Sequence, residues 1–302
     1  MESLPADHFL TSLQFTRNVY QDVYPSIDPT KPELSLAGKV VIITGASRGI
    51  GAMGIVPAFA KAGPKAMVLV ATNAEKLAAV EASIKEINPE IQTLSVAADI
   101  SDIDSVANLF AKIKKNLDHA DILVNNAALA TGGGNIHEED PEKWWRNFEV
   151  NTKGAFLVAK SFISALPDPT STPATIINLA TAAAWLVLPS MSGYSISKLA
   201  GMQLVSHLAA AYPNITVVGL HPGLVETDAL MEEFKKFDLD SPALTGGLAV
   251  WLAAREEAKF LSGRTIASNW SVDDLVLRKN EIVEGDLLRV NYVPKLGRDQ
   301  LD

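Results

Sequence analysis

Residues 40–51, VVIITGASRGIG, decide the fold of this chain of 302 residues. The first five are apolar or β-branched, as in a buried strand, and a helix is predicted from the end of the stretch over 50–62. Three glycines lie between the strand and the body of the helix, at Gly45, Gly49 and Gly51. A glycine-rich turn that links a strand to a helix is the sequence context of a phosphate-binding loop.

Each glycine has a physical role in such a loop. Gly45 permits a tight turn after the strand, Gly49 lets the backbone approach a pyrophosphate, and Gly51 lets the helix lie close to the sheet. The N-terminus of the helix adds free N–H groups and the positive end of its dipole. We therefore predict that the loop binds the phosphates of a dinucleotide. The predicted phosphate-binding residues are Gly45, Ser47, Arg48, Gly49, Ile50 and Gly51.

The rest of the chain alternates short apolar runs with helical patterns. The predicted strands are 40–45, 66–71, 91–98, 121–127, 174–180, 215–223 and 264–268. The predicted helices are 50–62 (which contains Pro57), 73–87, a helix from Asp102, 141–165, 193–211 and 246–257. Continuous apolar strands separated by helices are typical of a parallel sheet covered on both faces. The expected fold is α/β, a doubly wound (Rossmann) parallel seven-stranded sheet with helices on both faces, in a single domain.

The composition narrows the class of protein. Hydrophobic residues make up 48% of the chain, which allows a sizeable core and excludes wholesale disorder. The chain has no cysteine, so disulfides, thiolate metal sites and cysteine nucleophiles are excluded. A net charge of −9 argues against nucleic acid or an anionic membrane as a partner. The lone His207 and His221 are interpreted as structural residues, and no metal is expected.

Three segments are expected, an N-terminal arm over 1–37, a catalytic domain over 38–270 and a C-terminal extension over 271–302. The prolines and scattered aromatic residues of the arm favour a segment that lies on the domain surface or on a partner subunit. A role of the arm in the substrate site is the alternative. The chain lacks an apolar run long enough to span a membrane, and its acidic, polar start differs from that of a signal peptide, so a cytoplasmic protein is expected.

Further motifs follow the loop in order along the chain. They are Asp99-Ile100 after the third strand, Asn125-Asn126-Ala127-Ala128 at the end of the fourth, Asn151 on the long helix, Tyr194-Ser195-Ile196-Ser197-Lys198 on the next helix, and Pro222-Gly223-Leu224-Val225-Glu226-Thr227 after the sixth strand. With the Gly-x3-Gly-x-Gly spacing, they resemble the short-chain dehydrogenase/reductase family over about residues 37–270, and Asn269-Trp270 and the tail resemble a fungal branch of it. Beyond the loop, the resemblance implies these cofactor-binding residues: Asp99, Ile100, Asn125, Asn126, Ala127, Tyr194, Lys198, Pro222, Val225 and Thr227.

The residues after the second strand bear on the choice of cofactor. NAD enzymes usually place an acidic residue there to bind the ribose 2′-hydroxyl, whereas this chain has Thr72 and Asn73. Arg48 can reach the same region, and its guanidinium group suits a 2′-phosphate. We therefore predict NADP (NADPH) as the cofactor, with neutral hydrogen bonds from Thr72 and Asn73. Family members often carry an arginine at the position of Thr72, so NAD stays open as the alternative.

Tyr194 and Lys198 lie one turn apart on a predicted helix, so both project from the same face. A free tyrosine has a pKa of about 10, and a nearby ammonium group is expected to lower the pKa of Tyr194 toward the working range. The resemblance implies that Tyr194 is the catalytic acid–base group and that Lys198 also holds the nicotinamide ribose. It further implies that the Thr181 hydroxyl, where the family usually has serine, polarises the substrate carbonyl, and that Asn151 holds a water molecule linked to Lys198.

The predicted reaction is hydride transfer between the nicotinamide and a carbonyl or secondary alcohol. Apolar residues on two segments are expected to line a pocket for a mostly apolar small-molecule substrate. For the segment that contains Phe234 and Phe237, packing on the core is the alternative. They are Trp185, Leu186, Val187, Leu188 and Met191 on the first, and Leu230, Met231, Phe234 and Phe237 on the second.

The resemblance implies an NADP-dependent oxidoreductase, with a place in fungal secondary metabolism. Two other functions stay open on the same scaffold, a non-redox cyclase or isomerase and an NADP(H)-binding protein without turnover. The helices over 141–165 and 193–211 are the pair through which the family usually dimerises, so a homodimer or homotetramer is expected.

Overall fold

The computed structural model describes residues 4–228 and 230–291. Its strands are β1 (Val40–Thr44), β2 (Ala66–Ala71), β3 (Gln92–Ala97), β4 (Ile122–Asn125), β5 (Ala174–Leu179), β6 (Ile215–His221) and β7 (Thr265–Ala267). They form one seven-stranded sheet in the order β3-β2-β1-β4-β5-β6-β7, and every pairing within it is parallel. The predicted doubly wound parallel sheet is therefore confirmed.

Helices connect the strands and cover both faces of the sheet. In the described residues they are α1 (His8–Thr11), α2 (Val56–Ala62), α3 (Ala74–Ile87), α4 (Ile103–Leu117), α5 (Pro141–Phe148), α6 (Ala155–Ser164), α7 (Ser192–Ala211), α8 (Pro242–Ala254), α9 (Val272–Leu277) and α10 (Lys279–Glu284). The helix starts predicted at Asn73 and Asp102 are confirmed, because both side chains accept hydrogen bonds from the backbone at the starts of α3 and α4.

The strands divide the core into two layers, because successive side chains of a strand point to opposite faces. Val41 and Ile43 of β1 pack in the layer that contains α2, α3 and α8, whereas Val40 and Ile42 pack in the layer that contains α4, α6 and α7. All five residues of β1 are buried. This double coverage is the reason why the strand sequences are continuously apolar.

Two predicted helices contain a wider, π-type turn. The helix over 50–62 consists of a π-helical segment, Gly51–Ile55, followed by α2, and Pro57 lies in the first turn of α2. The π-type turn ends two residues before Pro57, and it already interrupts the regular i to i−4 hydrogen bonds with which a proline would interfere. The helix over 141–165 likewise consists of α5, a π-helical segment Glu149–Gly154, and α6.

The helix predicted over 246–257 is shifted by about one turn toward the N-terminus and spans Pro242–Ala254. Its start is set by the Ser241 hydroxyl, which accepts a hydrogen bond from the Ala243 N–H at 3.3 Å, and by Pro242 at the first position. The apolar pattern alone placed the start one turn too late.

The N-terminal segment is only partly a surface arm. Tyr24, Ile27 and Leu34 are buried in the same core layer as α2 and α8. The Tyr24 hydroxyl donates to the carbonyl oxygen of Trp270 at 3.1 Å and accepts from the N–H of Val272 at 2.8 Å. This part of the predicted arm, with α9, therefore belongs to the core.

The predicted C-terminal extension is described as far as residue 291, and 292–302 lie outside the described residues. Leu275 of α9 and Ile282 of α10 are fully buried against the sheet layer that contains α2. Within the described ranges, no helix is both long and apolar enough to cross a membrane.

Candidate active site

The glycine-rich loop after β1 is held in shape by close backbone contacts. Gly45 has a φ of 66°, in the left-handed region that favours glycine. A Cβ atom on Gly51 would lie 2.2 Å from the carbonyl oxygen of Gly45, so only glycine fits there. The Asn126 amide at the end of β4 donates to the carbonyl oxygens of Thr44 and Gly45, at 2.9 Å and 3.1 Å. The loop is therefore fixed from both its helix side and its sheet side.

The Asn125-Asn126-Ala127 motif acts mainly on this loop. The Thr44 hydroxyl accepts hydrogen bonds from the N–H groups of Asn126 and Ala127, both at 3.0 Å. The Asn125 amide instead donates to the carbonyl oxygen of Ala155 at 2.9 Å, at the start of α6. Asn125 thus tethers α6 to β4 and lies outside the lining of the cleft at the carboxyl ends of the strands, and its contact with a cofactor stays a prediction.

A cleft of about 610 Å³ runs along the carboxyl ends of the strands, where α/β proteins bind ligands. The predicted site residues that line it are Gly45, Ser47, Arg48, Gly49, Ile50, Thr72, Asp99, Ile100, Asn126, Ala127, Thr181, Tyr194, Pro222, Val225 and Thr227. The predicted site residues outside its lining are Gly51, Asn73, Asn125, Asn151 and Lys198. The fold thus brings the glycine loop and the Tyr194 region into one continuous cleft.

The side chains of Tyr194 and Thr181 lie together in this cleft, near enough for the Thr181 hydroxyl to influence the Tyr194 hydroxyl. Burial raises the pKa of Tyr194, and the Thr181 hydroxyl opposes that shift. Thr181 follows β5 and its hydroxyl also accepts from the N–H of Ala183 at 3.3 Å. Two hydroxyl groups, from β5 and from the first turn of α7, therefore meet at one point of the cleft wall.

Lys198 is placed differently from the prediction. It is 6% exposed, and its ammonium group donates to the carbonyl oxygen of Leu179 at 2.6 Å. Burial lowers the pKa of Lys198 to about 8. The expectation that Lys198 lowers the pKa of Tyr194 is wrong for this arrangement, because desolvation dominates at Tyr194 and the ammonium group is directed to the backbone. Lys198 instead fixes the end of β5, two residues before Thr181.

Asn151 lies in the π-helical segment between α5 and α6. Its side chain exchanges two hydrogen bonds with the backbone of Leu129, each at 2.8 Å, and donates to the Ser197 hydroxyl at 3.0 Å. A π-type turn turns side chains out of the regular helical register and is frequent at functional sites. Here it lets Asn151 hold the segment after β4 against α7, beside Lys198.

An ion-pair network at the Asp99 end of the cleft includes a residue that sequence reasoning missed. The Arg146 guanidinium group pairs with Asp99 at 3.1 Å and with Glu149 at 2.7 Å, and it lines the cleft. Arg146 comes from α5, so its approach to Asp99 depends on tertiary packing. The only indication of this ion pairing in the sequence is the i,i+3 spacing of Arg146 and Glu149, which places both side chains on one face of a helix.

Arg48 and Thr72 lie at the exposed rim of the cleft, after β1 and β2 respectively. Asn73 has a structural task, because its side-chain oxygen accepts from the N–H of Lys76 at 2.8 Å and caps α3.

The opposite end of the cleft is apolar. It is lined by Leu186, Leu188, Met191, Leu230, Met231 and Phe234, together with Phe9, Leu10 and Leu13 of the N-terminal segment. Phe9 packs against Phe237 and Phe234, with ring centroids 4.8 Å and 5.5 Å apart. The first residues of the arm therefore form a wall of the cleft. This position agrees with the alternative interpretation, in which the arm has a role in the substrate site. Phe237 lies beneath this wall. Trp185 and Val187, which are 41% and 96% exposed, lie outside the lining, contrary to the prediction.

Asp240 holds the loop after β6 in place. Its carboxylate accepts from the N–H of Leu224 at 2.7 Å and from the Asn269 amide at 2.7 Å, and the same amide donates to the carbonyl oxygen of Tyr20 at 3.0 Å. Burial raises the pKa of Asp240 to about 6, although these hydrogen bonds oppose the shift. The N-terminal segment and the loop that carries Val225 are thus joined through one carboxylate.

Sequence comparison identifies the family of the chain. A sequence model described as short chain dehydrogenase matches residues 39–238. The chain belongs to the short-chain dehydrogenase family. A relative named short chain dehydrogenase mpl6, from Monascus purpureus, is 35% identical over 282 residues, which are 91% of this chain and 94% of that protein. Further relatives come from Monascus ruber and Emericella variicolor, so the predicted fungal resemblance is confirmed.

Solved structures of short-chain dehydrogenases share the fold. The L-sorbose reductase of Gluconobacter frateurii, in complex with NADPH and L-sorbose, is 27% identical with a TM-score of 0.69, covering 78% of this chain and 96% of that one. The 3-ketoacyl-(acyl-carrier-protein) reductase of Brucella melitensis, in complex with NADH, is 28% identical with a TM-score of 0.69, covering 77% and 97%. As a short-chain dehydrogenase the chain is an oxidoreductase, and the choice between the two cofactors rests on its own residues.

Proposed function

We propose that this protein is an NADP-dependent oxidoreductase that interconverts a carbonyl group and a secondary alcohol on a mostly apolar substrate. The observation that carries the proposal is that Tyr194 and Thr181 line one continuous cleft with the glycine loop, with their side chains near each other. The test is the consumption of NADPH by the purified protein with a panel of apolar ketones. Consumption supports the proposal, and tight NADPH binding without consumption across the panel favours a cyclase, an isomerase or a binding protein.

The residues present fit a dinucleotide. At Gly45 and Gly51 a Cβ atom would collide with the backbone of the loop or with the Asn126 amide, so the loop keeps its tight shape only with glycine. The first turn of the helix that follows would offer backbone N–H groups to phosphates. Asp99 and Ile100 line the cleft beyond β3, where they would flank an adenosine group. Tyr194, Pro222, Val225 and Thr227 would surround the nicotinamide end, with Lys198 beside its ribose.

The bound nicotinamide supplies the hydride in this chemistry. Tyr194 would donate its hydroxyl proton to the oxygen of the carbonyl as negative charge develops there, and it would take the proton back in the reverse direction. Thr181 would donate a second hydrogen bond to the same oxygen, which stabilises that charge. Lys198 would keep Thr181 in position through its hydrogen bond to the carbonyl oxygen of Leu179.

Arg48 supports the preference for NADP. It lies at the rim of the cleft, after β1, and the residues at the end of β2 include no carboxylate that would repel a 2′-phosphate. We expect Arg48→Ala to lower the ratio of kcat/KM for NADPH to that for NADH by about tenfold or more, since a charge-assisted hydrogen bond is lost. The measurement is steady-state kinetics with both cofactors and one ketone.

Arg17→Ala is the matched control for Arg48→Ala, because Arg17 is exposed and lies outside the lining of the cleft. It removes the same charge, and the cofactor ratio should stay as in the wild type. A clear preference of the wild type for NADH would contradict the role of Arg48.

The position of Phe9 in the lining of the cleft supports the proposal that the substrate is apolar and partly covered by the N-terminal segment. We expect Phe9→Ala to raise KM for an apolar ketone by about tenfold, because the cleft loses one apolar wall, with a smaller change in kcat. Phe15→Ala is the control, since Phe15 packs against Trp270 and Arg278 outside the cleft. A KM raised equally in both variants would show that the arm acts through stability alone.

Homo-oligomer formation is part of the proposal. Trp145 on α5, Phe156 on α6 and Ile196 on α7 are 56%, 46% and 47% exposed. Apolar side chains exposed on these helices support a homodimer or homotetramer.

The fungal relatives support a place in fungal secondary metabolism.

A further inference from the structure

Asp240 is a buried carboxylate where the two walls of the apolar end of the cleft meet. It is 7% exposed, lines the cleft and lies two residues before α8. One wall is the loop after β6, residues 222–240, which contributes Leu230 and Phe234 to the lining. The other wall is the start of the N-terminal segment, which contributes Phe9 and Leu13. Neither wall is a strand of the sheet, so contacts between the segments must hold both in place.

The loop after β6 is bonded to Asp240 through its backbone and its side chain. The N–H of Leu224 donates to Oδ2 of Asp240 at 2.7 Å, and the N–H of Asp240 donates to the carbonyl oxygen of Leu224 at 2.8 Å. Gly223 leaves room for the carboxylate, because a Cβ atom there would lie 2.2 Å from the same Oδ2 atom. The φ of Gly223 is 82°, a conformation that favours glycine. The loop is therefore shaped around this carboxylate.

The N-terminal segment reaches the same carboxylate through Asn269, which follows β7. The Asn269 amide donates to Oδ1 of Asp240 at 2.7 Å and to the carbonyl oxygen of Tyr20 at 3.0 Å. The next residue after Asp240 adds a main-chain bond, since the N–H of Ser241 donates to the carbonyl oxygen of Gln21 at 2.7 Å.

The first residues of the N-terminal segment rest on the chain just before Asp240. The N–H of Asp238 donates to the carbonyl oxygen of Ala6 at 2.9 Å, and Phe9 packs against Phe237. The segment is thus attached to the chain on both sides of Asp240, and Asp240 itself holds the opposite wall at Leu224.

A carboxylate satisfies both side-chain contacts at this position, whereas its neutral isostere does not. Leu224 and Asn269 both present N–H donors, each to a different oxygen of Asp240. An asparagine side chain offers one oxygen and one amide group, so it can accept only one of the two bonds in this geometry. Asn269 cannot compensate by turning its amide group around, because its oxygen would then face the carbonyl oxygen of Tyr20. Loss of the carboxylate therefore releases the loop or the N-terminal segment.

We propose that Asp240 is a positioning residue that joins the loop after β6 and the N-terminal segment into one closed wall around the substrate. Asp240 acts through the apolar side chains that these two segments hold against the substrate, and it takes no part in the chemical step. This inference rests on the proposed function for the identity of the substrate, but the joining of the two walls is a property of the protein without ligand.

The test compares Asp240→Asn with Asp274→Asn. Each change removes a carboxylate that accepts from a backbone N–H at 2.7 Å, that of Leu224 in the first case and that of Asn18 in the second. Asp274 fastens the N-terminal segment to α9 outside the lining of the cleft, so it is the matched control.

Three quantities are measured in each protein. They are KM and kcat for the apolar ketone that the wild type reduces fastest, the calorimetric Kd for NADPH, and hydrogen exchange of residues 6–13 and 222–228 by mass spectrometry. We expect Asp240→Asn to raise KM by about tenfold with a smaller change in kcat, and to speed exchange in both segments by about tenfold. The Kd for NADPH should stay near that of the wild type, since the glycine loop is untouched. Asp274→Asn should leave KM and exchange in both segments unchanged.

Asn269→Ala is a second variant, which decides the question if Asp240→Asn does not fold. It removes the link to Tyr20 and keeps the bond between Asp240 and Leu224. Exchange should become faster over 6–13 but not over 222–228, and KM should rise.

The outcomes separate this inference from the proposed function. Unchanged exchange over 6–13 in Asp240→Asn would show that the two walls are held separately, and it would overturn the inference even when NADPH is consumed. Faster exchange in both segments with an unchanged KM would assign Asp240 a structural role alone and would also overturn it. If the wild type consumes no NADPH, the proposed function fails, and calorimetric affinity for 1-tetralone of the protein saturated with NADP replaces KM.

Discussion

Tyr194→Phe lowers kcat by about 10²- to 10⁴-fold, because it removes the hydroxyl that exchanges a proton with the substrate oxygen and leaves the ring in place. The ring lies at the cleft wall in the first turn of α7, so its packing is retained. The measurement is single-turnover kinetics with NADPH and an apolar ketone, beside calorimetric binding of NADPH. Binding should persist, since the glycine loop is untouched.

The matched control is Tyr212→Phe, at the end of the same helix, which removes a phenolic hydroxyl outside the cleft. Its kcat should equal that of the wild type. Unchanged turnover in Tyr194→Phe would show that the proton comes from another group, and the assignment of Tyr194 would be wrong.

Gly51→Ala has the second large expected effect. The new Cβ atom would lie 2.2 Å from the carbonyl oxygen of Gly45 and 2.7 Å from the Asn126 amide nitrogen, so the loop must move. Such overpacking costs about 1–3 kcal/mol, and loop movement displaces the backbone groups that bind phosphate. We expect the Kd for NADPH to rise by about 10- to 100-fold. Calorimetric titration and thermal unfolding of the same preparation measure both consequences.

Gly38→Ala separates backbone strain from this clash. Gly38 has a φ of 81°, and a Cβ atom there would meet nothing within 4 Å. The variant should unfold at a somewhat lower temperature while its affinity for NADPH stays unchanged. Wild-type affinity in Gly51→Ala would contradict the geometry of the loop.

The sequence predicts the elements that local patterns determine. The strand, loop and helix at 40–51 follow from apolar periodicity and glycine spacing, and Tyr194 and Lys198 share one helix face because they are one turn apart. The start of α8 follows from Ser241-Pro242, a typical start of a helix, and not from the apolar pattern, which begins one turn later.

Contacts between distant parts of the chain explain what the sequence did not predict. Asn126 holds Thr44 across 82 positions, and Lys198 donates to a main-chain oxygen, a partner that no side-chain pattern reveals. The pKa of Tyr194 is raised because burial outweighs the opposing influence of the Thr181 hydroxyl, and burial is a property of the whole fold. Phe9 reaches the cleft for the same reason, through its packing against Phe237.

The central claim is that the Tyr194 and Thr181 site carries hydride transfer to a carbonyl carbon. The most direct measurement is mass spectrometry of the alcohol that forms from an apolar ketone and NADPH deuterated at C4 of the nicotinamide, in the wild type and in Tyr194→Phe. We expect one deuterium on the carbinol carbon in the wild type and almost no product in the variant. An alcohol without deuterium from this position, or the same yield in both proteins, would contradict the claim.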